Sequence, residues 1–350
     1  MSENKGLQGL LDAPSPRVHI IVPADPHFTD YYAWNEQTMR CYANTFGWLF
    51  DSNYEGVCAK YRCHSYGNFL FRKHCIVACY LQEHPEADVV VVHDADIMAG
   101  DPSRPMDRWI NLARTVDFIF YQRCTTPEIM AGGYIVRNTA ASRDFLFEWA
   151  DWERKQPTGW SSADNGALHI HLLQRLSLES DHTTDPGPCL AKYKNLTLDI
   201  HNHELPNPYW DFCECCTEKI GMGSKPIEGS EDHIEAHDAF NNFRLMTEGL
   251  HVGTLNFSVI VYPANSGWMD DFACADPKST NAPVFFHAVK NVSVVGMYWD
   301  VHVGADFIGR IAPACQYHGR GEMPKDWQKS DCINKTGHVD FKCVAEHDSW

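Results

Sequence analysis

Val89-Val90-Val91-Val92-His93-Asp94-Ala95-Asp96 is the stretch that decides the fold. Four β-branched residues in a row leave no polar face, which suits a central parallel strand covered on both sides. In an open α/β sheet, ligands bind beyond the carboxyl ends of the strands, so Asp94 and Asp96 stand where a ligand is expected. An Asp-x-Asp pair can offer hard oxygen donors to one Mn²⁺ or Mg²⁺, which neutralises a substrate diphosphate. Taken alone, so short a pattern more often marks a solvated acidic turn, and its surroundings must decide.

Outward from this strand the chain alternates between strand and helix. Val18-His19-Ile20-Ile21-Val22 reads as a buried first strand, closed by the loop Pro23-Ala24-Asp25-Pro26. Met39, Tyr42, Ala43 and Phe46 fall at helical spacing before Gly47, a natural C-cap, and a second helix is predicted from Phe69 to His84, stopped by Pro85. Further strands are predicted at Val116–Tyr121, Gly133–Arg137, Leu196–Ile200, Leu255–Tyr262 and Pro283–His287, with a helix from Ala140 to Arg154. The expected architecture is α/β and Rossmann-like: a mostly parallel central sheet with helices on both faces, spanning residues 17–310. Residues 1–16 read as a flexible polar tail, residues 202–250 have weak periodicity, and residues 311–350 form a Cys-containing C-terminal extension.

The 350 residues are 44% hydrophobic and 21% charged, which excludes disordered, collagen-like and coiled-coil classes. A net charge of −17 argues against nucleic acid or an anionic membrane as partner, and means that a phosphate ligand needs a local cation. No run approaches the ~20 apolar residues of a membrane span, and the opening residues lack the pattern of a signal peptide. Yet 14 cysteines, with the sequons at Asn195, Asn256, Asn291 and Asn334, favour a disulfide-bonded glycoprotein of the secretory lumen, Golgi or ER, whose targeting segment is not visible. Cys213, Cys215 and Cys216 near His201 and His203 could ligate zinc, but the usual Cys-x-x-Cys spacing is missing and disulfides are preferred.

Four other segments could carry chemistry. Pro283 to Lys290 ends an apolar strand in His287 and adds Lys290 three residues later, an imidazole for a metal shell and an ammonium for phosphate. Gly132-Gly133 would let the backbone approach a sugar, or form an ordinary turn. In Ser161-Ser162-Ala163-Asp164-Asn165-Gly166, Asp164 opens a helix and could simply cap it. Arg72 and Lys73 add positive charge, or lie on a solvated helix face. Tyr209, Trp210 and Trp268 could stack on sugar rings, although aromatics more often pack in a core.

Phe71-Arg72-Lys73-His74-Cys75, Val91 to Asp96, Glu128-Ile129-Met130-Ala131-Gly132-Gly133-Tyr134 and Ala163-Asp164-Asn165-Gly166-Ala167 resemble, in order and spacing, the conserved blocks of a nematode-expanded family of nucleotide-diphospho-sugar transferases. That family is similar in turn to the fungal Golgi galactosyl- and mannosyltransferases of the GT-A fold, whose catalytic domain ends in a strand-His-x-x-Lys element like Phe286 to Lys290. The resemblance covers about residues 17–295.

It implies a metal-dependent glycosyltransferase that moves a sugar from a nucleotide-diphosphate donor, UDP-linked by preference, to a glycan or glycoprotein hydroxyl. The expected metal ligands for Mn²⁺ (or Mg²⁺) are Asp94, Asp96 and His287. The expected donor-binding residues are Pro23, Ala24, Asp25, Arg72, Lys73, Asp94, Ala95, Gly132, Gly133 and Lys290, with the block through Arg137 and Asn138 lining the sugar pocket. Asp164 and Asn165 are the expected catalytic pair, Asp164 serving acceptor binding, proton abstraction or stabilisation of an oxocarbenium-like centre. The fungal relatives favour retention of anomeric configuration, whereas Asp164 poised as a base for backside attack would give inversion. His93 departs from the pattern, because relatives carry an apolar residue before the first Asp. The rival readings are a metal-dependent phosphohydrolase and a non-catalytic lectin-like protein on the same fold.

Overall fold

The computed structural model describes residues 15–24, 31–52, 58, 63–100, 104–124, 126–177, 185–197, 207–222, 250–253, 257–263, 266, 268–271 and 283–288. The expected tail through residue 14, the 311–350 extension, Asp25, Lys290, His201, His203 and the sequons at Asn256, Asn291 and Asn334 lie outside the described residues.

Strand β1 (Val18–Ile21) is followed by helix α1 (Ala33–Phe46), which stops at Gly47 with φ +68°, the left-handed conformation glycine adopts without strain. Next come β2 (Leu49–Asp51), α2 (Phe69–Glu83) and β3 (Val89–His93). Asn68 caps α2 by accepting from the Leu70 amide at 3.0 Å. After β3 the chain forms β4 (Met98–Ala99), α3 (Asp107–Ala113), β5 (Phe118–Tyr121), β6 (Gly133–Arg137) and α4 (Ala140–Ala150), which tightens into a 3₁₀ turn at Asp151–Lys155. Helices α5 (Asp164–Ser177), α6 (Gly187–Lys194) and α7 (Pro208–Lys219) precede β7 (Leu250–Gly253), β8 (Ser258–Tyr262), β9 (Met269–Asp271) and β10 (Phe285–His287).

Seven strands form one sheet in the order β2-β1-β3-β6-β5-β8-β7. Strands β1, β2, β3, β5 and β8 point the same way, and β6 and β7 oppose them. The sheet is therefore mostly parallel, with one departure from expectation at its centre: β3 pairs in parallel with β1 but antiparallel with β6. A smaller sheet, β4-β10-β9, sits beyond the end of β3. The strand expected at Leu196–Ile200 does not form at Leu196 and Thr197, which continue from the end of α6. Helix α7 arises inside the segment expected to have weak periodicity, although its buried Tyr209, Phe212, Cys213 and Cys216 fall at i, i+3, i+4 and i+7.

The valine run is buried on both faces, as its composition requires. Val90 and Val92 join Phe118, Phe120, Tyr134 and Val136 under α2, α4, α5 and α7, while Val89 and Val91 join Ile119, Tyr121 and Ile135 under α1 and α3. This strict alternation is the period-two geometry of a strand between two helical layers. Disulfides Cys58–Cys79 and Cys63–Cys75 bind the approach to α2 onto that helix, and Cys189–Cys215 joins α6 to α7. Of the cysteine trio, then, only Cys215 is bridged; Cys213 and Cys216 are free and buried. Burial holds both thiols well above their usual pKa, which disfavours the thiolate a zinc site needs.

Buried histidines make the fold acid-sensitive. Burial pushes His74 down to about 4, and His93 and His171 down to about 3, so all three rings stay neutral in the folded chain. Their depressed values mean that stability is full above the unfolded pKa of about 6.5. As pH falls below that value the unfolded chain takes up protons that the folded chain refuses, at a cost of up to roughly 1.4 kcal/mol per pH unit for each ring. Urea denaturation at pH 7.5 and pH 5.5 should show a clearly lower midpoint at the acid value; coincident midpoints would contradict this reading.

Candidate active site at the carboxyl edge of β3

The chain leaves β3 into Asp94-Ala95-Asp96, as the valine run foretells, and a turn closed by the Ile97 amide on the Asp94 carbonyl (3.2 Å) holds the two carboxylates there. His287 arrives from the other sheet: β10 pairs with β4 through Phe286 and Met98, carrying His287 to the same edge. One donor atom from each of Asp94, Asp96 and His287 lies within 4.8 Å of the other two, and His287 Nε2 is 3.6 Å from Asp96 Oδ1. Two carboxylates and one imidazole are a suitable donor set for Mn²⁺ or Mg²⁺.

Gly132 completes this cradle. A Cβ there would come within 2.5 Å of His287 Nε2 and 3.2 Å of Asp94 Oδ2, while its carbonyl accepts from the Asp94 amide at 2.7 Å. Only a residue without a side chain leaves these donor atoms room to converge. Gly132→Ala should therefore weaken Mn²⁺ binding by about tenfold or more, the scale of an outer-shell disruption, with the circular dichroism spectrum unchanged. Titration calorimetry checks this, and wild-type affinity in the variant would contradict it. Gly133 serves packing instead, since its added Cβ would strike Met269.

Lys73 departs from expectation. Although basic, it is one of the largest fully buried side chains among the described residues, and its Nζ lies 2.8 and 3.0 Å from the two Asp94 oxygens and 2.9 Å from Asp164 Oδ2. Burial disfavours the ammonium, but the Asp164 and Asp94 carboxylates outweigh that effect and hold its pKa above the ordinary lysine value. Arg72, next along α2, points elsewhere, its guanidinium lying over the Phe69 ring at 5.1 Å.

Asp164 does not act through its side chain as a simple helix cap. Besides Lys73, its carboxylate meets His74 Nε2 at 3.1 Å, and His74 Nδ1 meets the Tyr134 hydroxyl at 3.2 Å. An ionised carboxylate accepts only, so Nε2–H donates to Asp164 and Nδ1 accepts from Tyr134. The ring is fixed further by stacking on Trp149 at 3.5 Å, and the Trp149 indole donates to the Asp164 carbonyl. Burial works against the Asp164 charge, yet Lys73 and His74 overcome it and hold the pKa below the usual carboxylate value. Asp94 moves the other way, its pKa raised by burial, with Asp96 and Asp164 reinforcing the rise against Lys73.

The non-glycine residues at positive φ among the described residues all adjoin this site: Ser162 (53°) and Ala163 (47°) lead into Asp164, and Ala288 (60°) follows His287. Left-handed backbone at such residues costs on the order of 1–2 kcal/mol each and concentrates at functional positions. Asn165 holds the scaffold, its Oδ1 accepting from the Ala131 amide at 2.7 Å and so bracing the segment before Gly132.

The remaining expected residues divide by position. Pro23 and Ala24 follow β1 at the same carboxyl edge as Asp94, and Ala95 is part of the turn. Arg137 and Asn138, expected at the sugar pocket, lie at the opposite end of the sheet because β6 runs antiparallel. Arg137 there meets Asp117 at 3.2 Å, and Asn138 caps the loop after α2. Trp268 and Tyr209 are fully buried, and Tyr209 and Trp210 pack with Trp160 beside the entry to α5. His74 and Tyr134 had no role in the sequence reading; their signals were the Lys-His pair inside an apolar helix and the aromatic residue directly after the glycine pair.

No curated protein matches the chain. Among solved structures, a glycosyltransferase involved in the glycosylation of the major capsid of PBCV-1 overlays 46% of this chain and 78% of its own, at 13% identity and a TM-score of 0.38. That overlay is too loose to assign fold or chemistry. A family model does match residues 39–223, more than half of the chain and the span that holds Lys73, His74, Asp94, Asp96, Gly132 and Asp164. The chain thus belongs to the family described as protein of unknown function, DUF273.

Proposed function

We propose that the protein is a metal-dependent glycosyltransferase with a GT-A-type domain, taking its sugar from a nucleotide-diphosphate donor, UDP-linked by preference, and passing it to a glycan or glycoprotein hydroxyl. The observation that carries the reading is the convergence of Asp94, Asp96 and His287, from two different sheets, at the carboxyl edge of β3. The sequence resemblance to nucleotide-diphospho-sugar transferases points to the same residues. A divalent ion held there would supply Lewis-acid stabilisation of the leaving diphosphate. Asp94, Asp96 and His287 would hold that ion, and Gly132, which has no side chain, leaves the space it needs. Lys73 holds Asp94 and Asp164 in one rigid frame, so that the carboxylate facing the reacting carbon is set relative to the diphosphate. Its low pKa keeps Asp164 ionised at neutral pH, as stabilisation of positive charge at the anomeric carbon requires. The similarity to the fungal enzymes favours retention of configuration.

A secretory lumen is the proposed compartment. The disulfides Cys58–Cys79, Cys63–Cys75 and Cys189–Cys215 among the described residues support it, as does Asn195, an exposed sequon at the end of α6. The function is tested by nucleotide release from a panel of nucleotide sugars with Mn²⁺, with and without oligosaccharide acceptors. The proposal expects metal-dependent release from one donor class, stimulated by an acceptor that gains the sugar's mass. Release at equal rates with and without every acceptor would instead mark a phosphohydrolase.

A further inference from the structure

We propose a second divalent-metal site, for Zn²⁺, formed by His19, His84 and Glu86 at the opposite end of the sheet from Asp94. One donor atom from each of the three residues lies within 4.8 Å of the other two. They come from three pieces of chain: His19 from β1, His84 from the residue that closes α2, and Glu86 from the loop before β3. That loop enters β3 at its amino end, so the five residues of β3, rising about 3.3 Å each, separate the two clusters. Two imidazoles and a carboxylate form a borderline-soft set that suits Zn²⁺ better than Mg²⁺. A tetrahedral Zn²⁺ with bonds of about 2.0–2.1 Å sets its ligands roughly 3.4 Å apart, within a modest contraction of what is observed.

Two features mark a built site. His19 is buried, and one of its ring nitrogens, Nδ1, meets the Tyr80 hydroxyl at 2.8 Å, the outer-shell brace that orients a metal-binding imidazole. The ligand-bearing loop is also fixed from behind: the Asn138 amide donates to the carbonyls of Leu81, His84 and Ala87 at 2.9–3.0 Å, and Arg143 in turn holds Asn138 at 2.7 Å. His84 and Glu86 are already paired at 2.8 Å, with Glu86 exposed so that an ion can enter. Bound Zn²⁺ would tie the end of α2 to β1, anchoring the far end of the helix that carries Lys73 and His74.

The test uses the chain carrying Asp96→Asn and His287→Ala, which silences the other cluster, with folding verified by circular dichroism. Equilibrium dialysis against Zn²⁺ alone should find one bound ion, and adding His84→Gln or Glu86→Gln should weaken it by at least about tenfold. Co²⁺ in the same background should give the visible absorption of a tetrahedral site, lost in those variants. No bound Zn²⁺ in the background chain, or binding unchanged by both substitutions, overturns the proposal. The outcome is independent of transferase activity.

Discussion

Asp96→Asn and His287→Ala are each expected to lower metal-dependent sugar transfer by at least about a hundredfold while leaving the protein folded. The expectation follows from how the ligands are supported. Asp96 sits on the turn after β3 and His287 at the end of β10, and their side chains meet at 3.6 Å. Lys73 and His74 make their ion pairs with Asp94 and Asp164, so removing Asp96 or His287 takes a donor from the ion and leaves those buried pairs in place. The checking measurement is transfer rate against Mn²⁺ concentration, beside a thermal melt. A variant with wild-type rate at ordinary Mn²⁺ would remove its residue from the metal shell.

Lys73→Met is expected to destabilise the fold by about 3–5 kcal/mol and to abolish transfer. The buried Asp164 and the half-buried Asp94 share this one ammonium, and deleting it leaves the Asp164 charge uncompensated beside a second carboxylate. Part of that loss should be recovered in the double variant Lys73→Met with Asp164→Asn, because the second change removes one of the orphaned charges while keeping its shape. Such coupling is measured by a double-mutant cycle in urea, and strictly additive costs would contradict the shared-cation reading. Asp164→Asn alone should retain metal binding at Asp94, Asp96 and His287 yet lose turnover, which separates the role proposed for the Asp164 charge from that proposed for the metal donors.

Much of this frame was legible in the residues because local patterns and global packing agree. The four valines fix a strand buried on two faces, Gly47 ends α1, and Gly133–Arg137 forms a strand with the expected bounds. The convergence of Asp94, Asp96 and His287 was legible only through the resemblance. Nothing in the spacing of residues 94 and 287 tells that β10 joins a small separate sheet beside β4. Two features escaped for physical reasons. Strand direction is not encoded in apolar content, so β6 could not be read as antiparallel, and the resemblance that put Arg137 and Asn138 at the sugar pocket did not separate them from Gly132 at the other end of the strand. Lys73 reads as surface by its chemistry, and its burial becomes intelligible only once two carboxylates from distant segments are brought against it.

The most direct test of the central claim is thermal stabilisation of the purified protein by UDP, GDP and CMP and their sugars, each with Mn²⁺ and with chelator, in the wild type and in Asp96→Asn. A ligand that binds only the native state must raise the melting temperature. The expected result is a shift from one nucleotide class, UDP by preference, that requires Mn²⁺ and vanishes in Asp96→Asn. No shift from any nucleotide with Mn²⁺ present, or an equal shift with chelator and in the variant, would contradict a metal-dependent donor site at Asp94, Asp96 and His287.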